Sequence, residues 1–112
     1  GAPRAARGRG GGAGEAGGEE AAGWQAVRAF RGKSRVRCVA VSHITGDLYM
    51  TDSGQEKVLV YSKHKKGLLL SFGGRGTGPG QFWNVWGIAV CPASGEVYVT
   101  DRGGSRVQVF AP

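Results

Sequence analysis

Residues 38–62, CVAVSHITGDLYMTDSGQEKVLVYS, align without a gap on residues 87–111, GIAVCPASGEVYVTDRGGSRVQVFA, at a constant offset of 49. Nine of the 25 pairs are identical, among them Gly46/Gly95, Tyr49/Tyr98, Thr51/Thr100, Asp52/Asp101 and Gly54/Gly103. Whatever one copy folds into, the other must fold into as well, and each copy must find its burial against a neighbouring copy. That requirement narrows the architecture more than any other feature of the chain.

Inside each copy, apolar runs alternate with turn residues. Val39-Ala40-Val41 and Ile88-Ala89-Val90 are short β-branched runs that read as strands buried on both faces. A turn follows at Ile44-Thr45-Gly46-Asp47 or Ala93-Ser94-Gly95-Glu96, and the chain returns as Leu48–Thr51 or Val97–Thr100. The next turn is built on Asp-x-Gly, where the Asp side chain accepts from backbone N–H groups two residues on and Gly is free to take positive φ. Val58–Tyr61 and Val107–Phe110 are the third strands, and Leu68–Phe72 is a fourth in the first copy. Upstream, Gln25–Phe30 with Arg31-Gly32 resembles Leu70-Ser71-Phe72-Gly73-Gly74, so residues 24–30 read as the last strand of an earlier unit. Four strands per unit at this period indicate a β-propeller blade. A sandwich is the competing all-β arrangement, but its strands need not repeat at a fixed offset. The expected fold is all-β: a partial propeller of about two four-stranded blades, with residues 31–74 one blade and 75–112 an incomplete one.

The first 23 residues stand apart. Nine are Gly and seven are Ala, so residues 1–23 cannot offset their own ordering entropy and read as a disordered low-complexity tail, with 24–112 the folded segment. Arg4, Arg7 and Arg9 cancel Glu15, Glu19 and Glu20 there, which places the whole net charge of +7 on residues 24–112. A basic folded part associates readily with anionic partners. No apolar run approaches the roughly 18 residues that span a bilayer, so no membrane association is expected. The opening Gly, Ala and Arg do not read as a secretory signal, and a first residue other than Met reads as a fragment or a processed chain. Cys38 aligns with Gly87 and Cys91 with Ser42; two such unmatched thiols suit a reducing compartment, and a cytoplasmic location is expected.

Gly78-Pro79-Gly80-Gln81-Phe82, Trp86-Gly87-Ile88-Ala89-Val90, Gly95-Glu96-Val97-Tyr98-Val99-Thr100-Asp101-Arg102-Gly103 and Arg106-Val107-Gln108-Val109-Phe110, in that order, are similar to one NHL repeat almost end to end. The resemblance extends over residues 31–112 and is fainter in the first copy. It implies a six-bladed propeller. Val85 stands where the family commonly has Pro, Gly104-Ser105 and Gln55-Glu56 stand where Asn-His is common, and Lys57 replaces Arg in the first copy. The resemblance also implies a protein-binding role, as in the tripartite-motif ubiquitin ligases that carry NHL repeats and recruit substrates with them. The alternative it implies is RNA binding on a basic propeller face.

Asp52 and Asp101 are the recurring carboxylates. No second carboxylate stands beside either at acid/base spacing, so they are read as turn-capping residues that pair with Lys57 and Arg106; Gly54 and Gly103 belong to the same turns. His43 and His64 are too few and too scattered for a metal site, and the histidine set of the metal-dependent lyases among NHL-like propellers is missing. Gly73–Gly80 has neither a helix after it nor a Lys-[Ser/Thr], which removes a phosphate-loop reading and leaves a connection between blades. The expectation is a non-catalytic module with no cofactor. Arg28, Arg31, Lys33, Arg35 and Arg37 are closely spaced, and Phe82, Trp83 and Trp86 lie near Arg75 as a candidate stacking surface for RNA, with core as the competing reading of Phe82 and Trp86. Arg35, Arg37, Arg75, Trp83 and Arg102 are the candidate residues for a protein or RNA partner. Two blades would leave faces uncovered at both ends, so self-association that closes a six-bladed ring is a further expectation.

Overall fold

The computed structural model describes residues 23–112; the tail expected over residues 1–23 lies outside them except for Gly23. Two antiparallel sheets form in chain order. The first holds β1 (Val36–Val41), β2 (Leu48–Asp52), β3 (Lys57–Tyr61) and β4 (Leu68–Gly73), and the second holds β5 (Val85–Val90), β6 (Val97–Asp101) and β7 (Arg106–Phe110). Within each sheet, consecutive strands pair in chain order. This all-β arrangement of one four-stranded and one three-stranded sheet is that of partial propeller blades, as the period required.

The first turn of each blade is set by glycine. Gly46 and Gly95 sit at φ 80° and 79°, and their N–H groups donate to Ser42 O and Cys91 O at 2.8 and 2.9 Å. The second turn departs from expectation. Its left-handed residues are Glu56 and Ser105, at φ 57° and 51°, whereas Gly54 and Gly103 are glycine for want of space. A Cβ on Gly54 would collide with Ser34 Oγ, and one on Gly103 would stand 2.6 Å from Trp83 Cδ1.

Most of the core lies between the sheets. Val58 and Val60 of β3 pack against Phe82, Val85, Val97 and Val99 of the second blade, with Tyr49, Phe72, Ile88, Val90 and Phe110 around them. Burying each such side chain is worth about 1.5–3 kcal/mol. Leu59 and Tyr61, on the opposite face of β3, close a second cluster with Met50, Phe30 and Leu48. The strand buried on both faces is therefore β3, and not the first strand of each copy. Val39 and Val41 of β1 are more than half exposed because the sheet face they occupy has no blade over it among the described residues.

Polar links cross the seam. Thr51 Oγ1 accepts from Cys38 N at 3.1 Å within its blade and donates to Trp86 O in the next at 2.7 Å. The buried Glu56 side chain accepts from Val85 N at 2.8 Å, and its carbonyl accepts from Gly74 N at 2.7 Å. Residues 74–84 carry the chain from β4 to β5, which is the connection expected of the Gly-rich run. Residues 24–30 form no strand, since no strand among the described residues lies where its ladder would be. Phe30 is held instead on Tyr61, with ring centres 5.6 Å apart.

Replacing Glu56 with Ala leaves the buried Val85 N–H without an acceptor and is expected to cost about 1–3 kcal/mol. Glu56→Gln keeps an oxygen in place and costs less. Urea midpoints at equal protein concentration measure the difference.

Candidate interaction surface

The last residue of each second strand organises the loop ahead of its blade. Asp52 is fully buried. Its Oδ2 accepts from Lys33 N and Ser34 N at 2.8 and 2.9 Å. Oδ1 accepts from Ser34 Oγ, Arg35 N, Gly54 N and Gln55 N at 2.8, 3.0, 3.0 and 3.3 Å. Asp101 repeats the device: it accepts from Trp83 N at 3.1 Å, Asn84 N at 2.9 Å and Gly104 N at 3.3 Å. Burial pushes both carboxyl groups up, but the converging donors outweigh it and hold both below the usual carboxylate range. The Asx-turn expected from sequence is present, yet its larger role is to bind backbone 17 to 19 residues upstream.

The expected ion pairs form in one blade only. Arg106 Nε stands 3.5 Å from Asp101 Oδ2, and its Nη2 donates to Gly78 O and Gln81 O at 3.0 and 2.8 Å. Lys57 makes no ion pair with Asp52. The Asp52 oxygens are already filled by the short leading loop and its Ser34 hydroxyl, and that loop offers no carbonyls comparable to Gly78 and Gln81.

Once these loops are fixed, corresponding positions of the two blades line one rim. Ser53 N donates to Arg35 O and Arg102 N to Asn84 O, both at 2.9 Å. The offset of 49 pairs Arg35 with Asn84, Arg37 with Trp86 and Ser53 with Arg102. Across the seam, the Arg37 and Arg102 guanidinium carbons lie 4.3 and 4.5 Å from the centre of the Trp86 ring. Arg37 Nε also donates to Ser53 Oγ at 3.1 Å. Two exposed cations from different blades thus share one half-buried indole.

The remaining candidates fall elsewhere. Arg75 Nη1 faces the buried Glu56 Oε2 at 3.8 Å, at the seam. Trp83 is half-exposed and packs against Gly103. Arg35 is exposed, its N–H committed to Asp52. Phe82 is core, whereas Trp86, read either as core or as part of a stacking surface near Arg75, is half-buried and lies under Arg37 and Arg102 instead. Its alignment with Arg37 in the repeat was the available signal. Cys38 and Cys91 are free thiols; the Ser94 hydroxyl and the Ser94 and Ala93 N–H groups draw the Cys91 thiol below its ordinary value. Among the described residues no three of His, Cys, Asp and Glu converge as a metal-binding group, and no helix is long and apolar enough to cross a membrane.

Residues 82–110 match the family model of the NHL repeat, which is in general a propeller module that mediates protein interactions. A comparison with curated proteins finds no match.

Because Asp52 and Asp101 have folded values below the unfolded value of about 3.9, their contribution to stability is complete above roughly pH 4 and is lost as the pH falls below it. The urea midpoint is expected to be steady from about pH 7 to 5 and to fall sharply between about pH 4 and 3. Asp52→Asn turns donors toward donors, costs on the order of 3 kcal/mol at neutral pH, and flattens part of the acid limb.

Proposed function

We propose that this chain, whose residues 82–110 are an NHL repeat, is a non-catalytic interaction module that captures an acidic segment of a protein partner on the rim made by Arg37, Trp86 and Arg102. The observation that carries this reading is the pair of guanidinium groups over one ring at 4.3 and 4.5 Å. Cation–π attraction to the indole holds each guanidinium group in place; Arg37 Nε is taken by Ser53 Oγ, which leaves the Nη groups to grip a carboxylate. Holding two long side chains in register before binding removes part of the entropy that binding would cost. The net charge of +7 on residues 24–112 steers an acidic partner toward the surface.

The resemblance supports a setting in which the module recruits substrates for a ubiquitin-ligase-type protein in the cytoplasm, with the zinc-binding RING supplied by sequence other than these residues. RNA binding is the competing reading, and the half-exposed Trp83 on the loop ahead of β5 is the observation in its favour. Against it, Trp86 already carries two guanidinium groups and has little face to offer an unstacked base, which removes one of the two aromatic platforms that stacking would use.

Fluorescence anisotropy with a labelled Glu-rich peptide and with a uridine-rich single strand tests the choice. The full chain is expected to prefer the peptide. Arg37→Ala and Arg102→Ala should each weaken it roughly tenfold, about 1.4 kcal/mol. Tighter binding of the RNA, with an affinity that falls steeply with salt and is lost in Trp83→Ala, would assign the surface to RNA instead.

A further inference from the structure

Away from the rim, four cations gather around one cleft. Arg28 and Arg31 come from the segment ahead of the first blade and Lys65 and Lys66 from the turn between β3 and β4, and together with Phe30 and Tyr61 they line a hollow of about 440 Å³. All four basic side chains are exposed. No carboxylate lines the cleft. Among the described residues the ion pairs are Arg75 with Glu56 and Arg106 with Asp101, so none of the four is neutralised by a neighbour. Like charges crowded in this way repel one another, and a bound anion turns that repulsion into attraction.

Both sides of the cleft are held by contacts within the chain. Tyr61 Oη donates to Arg31 O at 2.8 Å, and its ring meets that of Phe30 with centres 5.6 Å apart. The Arg28 guanidinium carbon lies 5.2 Å from the centre of the Phe30 ring, and its Nη1 donates to Lys63 O at 3.4 Å. Residues 28–31 are thereby fastened to the end of β3 and to the turn that follows it. That turn is fixed in its own right: Ser62 Oγ accepts from His64 N and Lys65 N, both at 3.0 Å, Lys63 N donates to Asp47 Oδ1 at 3.0 Å, and Gly67 closes it at φ 83°. Because β3 runs from the Asp52 turn to Tyr61, the turn of the cleft and the turn of the rim stand at opposite ends of one strand.

We propose that this cleft binds a compact ligand carrying two or more phosphate groups. A guanidinium fork takes two oxygens of one phosphate, and lysine ammonium groups act as point charges that take the oxygens left over. The arrangement supplies both kinds of donor from two segments that face each other across the hollow. Its size is that of a small-molecule site. The aromatic residues argue against a nucleic-acid strand here: Tyr61 is 8% exposed and Phe30 is set against it, so neither ring presents a face on which an unstacked base would lie. Clustered phosphate is carried both by free polyphosphorylated molecules and by the headgroup of a phosphorylated inositol lipid, and the four cations suit either. The site is independent of the acidic-segment reading of the rim, since it shares no residue with it.

Isothermal titration calorimetry of the full chain with inorganic tripolyphosphate, at fixed ionic strength, is expected to show one site per chain. Citrate, with fewer charges spread further apart, should bind roughly tenfold more weakly. Arg28→Ala and Lys65→Ala should each weaken tripolyphosphate roughly tenfold, with unchanged circular dichroism because both side chains are exposed. Lys57→Gln removes the same charge at the far end of β3 and should leave the affinity as it is. Sedimentation with phosphatidylcholine vesicles containing a bisphosphorylated inositol lipid separates the two sources: a chain that pellets with them, and no longer does so as Arg28→Ala, takes a lipid headgroup, whereas one that binds tripolyphosphate and stays in the supernatant takes a free ligand. The absence of binding heat, several weak sites filling together, citrate bound as tightly, or an equal loss in Lys57→Gln overturns the proposal.

Discussion

The arrangement depends on a buried carboxylate at the end of the second strand of each blade. Asp52 and Asp101 sit at 0% and 1% exposure, each surrounded by backbone N–H groups from the loop ahead of the blade and from the turn behind it. A charge in that position is tolerated only because its donors converge, and the same donors would be orphaned without it. The carboxylate therefore decides where the first strand of each blade begins. In the first blade that fixes Arg35 and Arg37, and in the second Trp83, Asn84 and Trp86. The position of the rim follows from the position of the two aspartates.

The seam between the blades then turns two local units into one surface. Thr51 and Glu56 cross it with hydrogen bonds to Trp86 O and Val85 N, beside the apolar contact of Val58 and Val60 with Phe82 and Val85. Apolar burial supplies most of the attraction, but it is non-directional. The polar links set the register that brings Arg37 of one blade over Trp86 of the other. A surface made in this way is no more rigid than its seam, and charge density alone would not distinguish it from an ordinary basic loop.

The seam also explains how the repeat has diverged. Glu56 and Ser105 share a left-handed backbone and a place in the repeat, and among the described residues Glu56 is the one with a first strand in front of it to bind. Arg106 and Lys57 differ for a related reason: the long connection before the second blade presents the carbonyls of Gly78 and Gln81 to a guanidinium fork, and the short one before the first does not. The repeated positions keep the blade; the variable ones answer to what each blade meets.

Much of the architecture was legible from residue order alone. The offset of 49, the period-two strands and the turn residues Gly46 and Gly95 depend on interactions within a few residues, so the all-β class, the seven strands and the capping role of Asp52 and Asp101 could be read without coordinates. What lay beyond reach involved residues distant in sequence. Glycine at 54 and 103 looked like a demand for positive φ, but the demand is for space beneath Ser34 and Trp83, whose side chains arrive from 20 residues upstream. β3 rather than β1 became the strand buried on both faces, because burial depends on which neighbours are present and not on how apolar a run is. That Trp86 meets Arg37 and Arg102 was not legible, because the seam brings them together from different blades. The sequence by itself determined the blade, since a blade is made by contacts local enough to repeat with the chain. Only the tertiary structure decided the seam, the rim and the uncovered faces, since each is a relation between two copies that no single copy encodes.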